Sequence, residues 1–242
     1  MSRTVRTVIA VLVALTAVTV IAVYWLVSNL DSIVAGAIEK AGSQAAGVPV
    51  KVSGVSISLK EGRGEIRGLT VGNPAGFDGP YALKLGSIVL AIDTASIGSD
   101  PVRIKQISVD GANLLAEIKA GAGINLAKIN DNLSSGGKDT SSAGPSEQGP
   151  KVVIERFDFT DASMTLKAPT KQERTQDLGD IHVTNIGEGS GGATAAQAAS
   201  QLLGPVIREA VKQARSGAAE MGVEGYKQGA IDKLKDKLGI GN

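Results

Sequence analysis

Apolar positions change their spacing several times along this chain, and each change marks an element. From Val8 to Val27 the sequence reads VIAVLVALTAVTVIAVYWLV, 20 residues without a charge. At about 1.5 Å per residue, a helix of that length just crosses a hydrocarbon core of about 30 Å. Val8, Leu12, Leu15, Ile21 and Trp25 are its candidate membrane-spanning residues, and the Tyr24-Trp25 pair suits the headgroup zone. NLDSIVAGAIEKAGSQAAG then predicts a helix from Asn29 to Gly47, with Ile33, Ala37 and Ala41 at four-residue spacing and Gly47 and Pro49 as its stop.

The period next falls to two. VSISLK sets Val55, Ile57 and Leu59 on one face, and EIRGLTV continues with Ile66, Leu69 and Val71. The glycine-bearing EGRG between them predicts a hairpin. Gly86 to Asp93 and Ile104 to Ile118 keep the strand pattern, and Asp110-Gly111 predicts a two-residue turn, since glycine accepts positive φ. Ile124 to Leu133 predicts a short helix with Ile124, Ala127 and Ile129 on one side. SSGGKDTSSAGPSEQGP, Ser134 to Pro150, lacks periodicity and reads as a flexible linker.

Strands resume at VVIERFDFTDASMTLKA. Ile104, Ile107, Val109, Ala112 and Leu114 are echoed by Ile154, Phe157, Phe159, Ala162 and Met164 at an offset of 50. The echo predicts one β-hairpin unit used twice, with turns at Asp110-Gly111 and Thr160-Asp161. The C-terminus predicts helix from Ala193 to Leu203, a break at Gly204-Pro205, and a second run with Ile207, Val211, Ala214, Ala218 and Met221 as its stripe. That region either caps the open end of a sheet or lies against a membrane surface or a partner.

Composition narrows the function classes. Lys plus Arg number 25 against 24 Asp plus Glu, so no basic footprint for nucleic acid is expected. Cysteine is absent, which removes disulfides, zinc-thiolate sites and thiol catalysis. Arg3 and Arg6 precede the apolar run and Asp31 is the first charge after it. The positive-inside bias then places the N-terminus in the cytoplasm and the rest across the membrane. A cleaved signal peptide is the rival reading. Its apolar region would be shorter and end in small residues, whereas this one ends in YWLV.

Candidate chemistry is sparse. Gly187, Gly189 and Gly192 match G-x-G-x-x-G between a strand and a helix, the setting of a pyrophosphate-binding turn. A dinucleotide fold needs a further crossover strand, however, and none follows. With 31 glycines, a chance match is easy. The single histidine, His182, alternates with Ile181 and Val183 and reads as a surface residue. Asp158 and Asp161 are paired only by their nearness to a turn. Ser190 fails the G-x-S-x-G spacing. No catalytic, metal or cofactor residue is expected.

The order of parts resembles the N-terminal module of the AsmA-like envelope proteins of Gram-negative bacteria. An apolar anchor runs into a helix ending in GVPVKV, then come GLTVGNPAGF, ALKLGSIVLAID and PVRIKQISVDGANL. DIHVTNIGEGSGGATAAQAASQLL is similar to the strand-to-helix ending of small members. The resemblance implies a curved sheet with an apolar inner face, inner-membrane anchorage and a role in envelope lipid homeostasis. It supplies no catalytic residues.

Together these readings predict a β-dominated α+β protein with an N-terminal transmembrane helix, curved antiparallel β-sheet modules and C-terminal helices. The expected divisions are a cytoplasmic tip and anchor (1–28), a first β-rich module (29–133), a linker (134–150), a second β module (151–192) and C-terminal helices (193–242). About ten strands at about 4.8 Å would make a sheet near 50 Å, too short to bridge two membranes. Expected partners are the lipid bilayer, phospholipid acyl chains and envelope proteins, without nucleic acid. The expected function is non-enzymatic envelope biogenesis or lipid handling, with Ile57, Leu59, Ile88, Leu90, Ile107 and Val109 lining an apolar groove. The alternative is a membrane-tethered scaffold in which those residues are simply core.

Overall fold

The structure, a computed structural model, describes Trp25 and residues 28–135, 150–169 and 172–221. Val8, Leu12, Leu15 and Ile21, most of the predicted linker and the chain after Met221 lie outside the described residues. Among those described, no helix is long and apolar enough to cross a membrane.

Helix α1 (Leu30–Ala46) leads into strands β1 (Val50–Lys51), β2 (Gly54–Ser58), β3 (Arg63–Val71), β4 (Leu83–Ile92) and β5 (Val102–Lys119). The short β6 (Gly123–Ile124) and helix α2 (Asn125–Ser135) follow. Then come β7 (Val152–Thr160), β8 (Ser163–Lys167), β9 (Glu173–Asp177), β10 (Ile181–Ile186) and helix α3 (Ala195–Glu220). The protein is a β-dominated α+β fold in which ten strands form a curved sheet that does not close.

Two expectations change here. Strands on both sides of the linker belong to one sheet, because β5 pairs in parallel with β7 and β8. The sheet is therefore neither wholly antiparallel nor divided into two modules. The offset of 50 is itself this pairing: Ile104 faces Ile154, Ile107 faces Phe157, Val109 faces Phe159 and Leu114 faces Met164. Moreover, β1 and β2 share β3 as neighbour, β7 and β8 share β5, and β9 and β10 continue the next position out. The sheet is thus six strands wide, about 24 Å at about 4.8 Å per gap, half the expected span.

Asp110-Gly111 is not a turn. Gly111 sits inside β5 at φ +70°, and the pairs on either side place it opposite Gly86 in β4 and Asp161 between β7 and β8. The same bracketing sets Gly68 (φ +60°) against Gly86 and Gly179 (φ +81°) against Asp161. A line of kinked positions therefore crosses the sheet, left-handed at Gly68, Gly111, Asp161 and Gly179 but not at Gly86. Glycine enters that region without a Cβ penalty, and aspartate is among the few others that tolerate it.

Along the line each strand changes the parity of its buried positions. Ile66 gives way to Leu69 and Val71; Val109 gives way to Ala112 and Leu114. A slip of one residue in a single strand would turn its apolar set toward solvent. Because every strand slips together, the same face stays buried on both sides of the kink, and pairing is preserved.

The helices cover that face. In α1 the buried positions are Gly42, Ala45 and Ala46, with Val34, Ala35 and Ile38 packed partly against the core. The predicted stripe is one position off, and Ile33 is exposed. The cause is the close approach at Gly42, where a Cβ would lie 3.2 Å from Val50 Cγ1. Small residues there turn the helix so that its polar side reaches the sheet edge. Ser43 Oγ accepts from the Val50 amide (2.8 Å), Glu39 Oε1 from Val52 (2.8 Å) and Asp31 Oδ1 from Ile57 (2.9 Å). Edge amides that could template another strand are thereby occupied.

Helix α3 runs unbroken through Gly204-Pro205, against the predicted break. Gly204 offers no Cβ to clash with the proline ring. The buried stripe Val206, Ile207, Ala210, Val211, Ala214 and Ala218 outweighs the lost hydrogen bond.

Candidate functional site

Two ladders cross the near half of the sheet, the half between the kink and the β2–β3 turn. The first joins Val55, Ile66, Ile88, Val109, Phe159 and Ile181; the second joins Ile57, Gly64, Leu90, Ile107, Phe157 and Val183. Five of the six predicted groove residues therefore meet on one face. Ile88 pairs directly with Val109, and Leu90 with Ile107. Leu59 lies in the turn after β2, because the chain is already reversing there toward Gly62.

Burial grades these residues. Ile88, Ile107 and Val109 are 7%, 7% and 3% exposed and belong to the core. Ile57 and Leu90 are only half-buried, together with Ile104, one position nearer the β2–β3 turn. The opening is thus confined to the outer end of the near half.

The opposite face carries the main cluster of polar groups, centred on Asp158. This carboxylate is buried in β7. Arg156 Nε donates to both oxygens (2.9 and 2.7 Å), Gln106 Nε2 to Oδ2 (2.9 Å), and His182 Nδ1 lies 2.7 Å from Oδ1. The Arg156 guanidinium, aided by His182 and Gln106, holds the Asp158 carboxyl below the usual carboxylate range, against the opposing effect of burial. Asp158 orients the ring of His182, as an acid–base pair requires. Among the described residues, no hydroxyl or amine bonds that ring. Sequence reasoning missed the cluster because Gln106, Asp158 and His182 meet only through strand register. Their one local signal was polar residues alternating with apolar ones.

A second network lies at the far end. Glu117, buried in β5, accepts the amides of Asp78 and Gly79 (3.0 and 2.7 Å) and the Asn73 side chain (3.2 Å). Asn125, fully buried, bonds the Glu117 amide (2.8 Å), Leu115 O (2.8 Å) and Asn73 Oδ1 (2.8 Å). This clasp explains the GNPAGF stretch, whose loop is held by side chains roughly forty residues away in sequence.

The glycine loop is structural. Gly187 is left-handed, and a Cβ there would lie 2.6 Å from the Ala193 amide nitrogen. Helix α3 then begins with a closed capping box: Gln197 N donates to Thr194 Oγ1 (3.3 Å) and Thr194 N to Gln197 Oε1 (3.0 Å). Its first turn is occupied by its own side chains. Among the described residues, no three His, Asp or Glu side chains converge as metal ligands would. Comparison with family models, curated proteins and solved structures finds no match to this chain.

Proposed function

We propose that this is a non-enzymatic, single-pass inner-membrane protein of the AsmA-like kind, with its sheet domain in the periplasm and a role in envelope lipid handling. The observation that carries the reading is that Trp25, near the end of the apolar run, is hydrogen-bonded to the start of α1. Asn29 N donates to Trp25 O (3.1 Å) and Ile33 N to Asn29 O (3.0 Å), so helical bonding begins at the end of that run. Asp31, Glu39 and Ser43 then tie the same helix to the sheet edge. The sheet is therefore tied through α1 to Trp25. Its half-buried apolar residues, Ile57, Leu90 and Ile104, lie at the end nearest the run. Acyl-chain contact belongs there, at Ile57 and Leu90, and not at the sealed Ile88, Ile107 and Val109.

A photo-crosslinking residue at Leu90 in the full-length chain tests the lipid reading. The expected product is a phospholipid adduct, stronger than that from the same residue at the exposed Ala75. A folded protein with no adduct at Leu90 leaves the scaffold reading, which the burial of Ile88, Ile107 and Val109 favours. For topology, a periplasm-active reporter fused after Asn242 should be active. A stable but silent fusion overturns the orientation.

A further inference from the structure

Three large apolar side chains stand exposed among the described residues: Trp25 (61%), Ile33 (43%) and Ile97 (40%). Scattered single exposures need no explanation, but these three gather at one end of the molecule. Helix α1 runs antiparallel to the β1–β2 edge, since Ser43 bonds the Val50 amide and Asp31 the Ile57 amide. Its N-terminus therefore points toward the β2–β3 turn. Trp25 lies six residues before Asp31, about 9 Å farther out along a helix. The β4–β5 connection reaches the same end, because Ile92 N donates to Gly62 O (2.7 Å), and five residues later it presents Ile97.

The neighbouring charges do not compete for that role. Lys105 lies 3.6 Å from Asp93, and Arg103 lies 3.9 Å from Glu155. The exposed Lys60, Glu61 and Arg63 in and beside the β2–β3 turn add charge of both signs, so the end carries mixed charge and not a single-sign field. Apolar side chains beside a Trp at the end of a 20-residue apolar run suit one occupant, the interface of the bilayer that the run enters. At the opposite end, Phe77 is instead half-buried, with Lys128 Nζ 5.0 Å from its ring.

We propose that the β4–β5 connection and the first turns of α1 form a membrane-contact surface, with Ile97 and Ile33 inserted in the lipid interface. This rests on the anchoring reading above. It adds a second, independent point of contact, which fixes the tilt of the sheet against the membrane and turns its half-open apolar end toward the lipid.

The test uses the full-length chain in phosphatidylcholine vesicles containing brominated lipid. Because the sequence has no cysteine, Ser99→Cys carries one fluorophore beside Ile97, and Ala75→Cys carries one at the far end. The expected result is quenching at position 99 exceeding that at position 75 by about twofold or more. Ile97→Asp should lower the signal at 99 to the level at 75 and leave Trp25 quenching unchanged. Equal signals at 99 and 75, with Trp25 still quenched, overturn the contact surface and leave the anchor standing. Loss of Trp25 quenching as well overturns both.

Discussion

The two halves of the sheet on either side of the kink share strands, face and pairing, yet they are sealed to different degrees. In the far half, Leu83, Leu114, Met164 and Leu166 are at most 2% exposed, under helices α1, α2 and α3. In the near half, equivalent ladder positions at Ile57, Leu90, Ile181 and Val183 are only partly covered. The far half behaves as a closed core with a buried polar clasp. The near half leaves part of its apolar surface uncovered, at the end toward which the N-terminus of α1 points. The kinked line through Gly68, Gly111, Asp161 and Gly179 thus separates a sealed end of the sheet from a partly open one.

The largest effect expected is in the far core. Met164→Ala should cost about 2–5 kcal/mol, the range for emptying a well-packed site, whereas Leu90→Ala should cost about 1–2 kcal/mol. Denaturant unfolding of the two variants measures the difference, and equal losses would erase the contrast between the halves. Next is the clasp. Glu117→Ala removes a charged acceptor shared by Asp78, Gly79 and Asn73 and should cost about 1.5–3 kcal/mol. The amides of Asp78 and Gly79 should then exchange faster than those of β4.

A smaller effect belongs to the kink. Gly111→Ala forces a Cβ into the left-handed region, at about 1–2 kcal/mol, although the space around it is open. Its partner Gly86 has neither a positive φ nor a crowded Cβ position, so Gly86→Ala should change stability by about 0.5 kcal/mol or less. The smallest concerns Asp158. Its carboxyl titrates below the ordinary value of about 3.9, so the stability it contributes is complete above that value and is lost as pH falls through its lower native one. Asp158→Asn should flatten the acid arm of the stability curve below about pH 4 and leave its slope near neutral unchanged.

Much of this arrangement was legible in the spacing of apolar residues. Period two located most of the strands, and the stripe from Ile207 to Ala218 located the buried side of α3. The 50-residue echo was a real signal with the wrong meaning. It recorded two strands lying side by side in parallel, which local patterns cannot distinguish from a repeated hairpin. Gly111 misled for a related reason: positive φ serves a hairpin turn and a mid-strand kink alike, and only Gly86 and Asp161 across the sheet decide between them. The α1 stripe was displaced because Gly42, invisible to a count of large apolar residues, sets the closest approach. Asp158 and Glu117 were hidden because their partners arrive through strand register and long loops. Five of the groove residues share one face of the sheet, and their differing burial depends on how far each helix extends over them.

We propose that the apolar run lies in a bilayer, with Trp25 at the interface next to the helix that clamps the sheet. Trp25, the only tryptophan of the chain, reads this without any substitution. In vesicles of the full-length protein with lipids brominated at graded depths, its emission should be blue-shifted and most strongly quenched by the shallowest bromines. Emission typical of water, unaffected by bromine at every depth, would contradict the account.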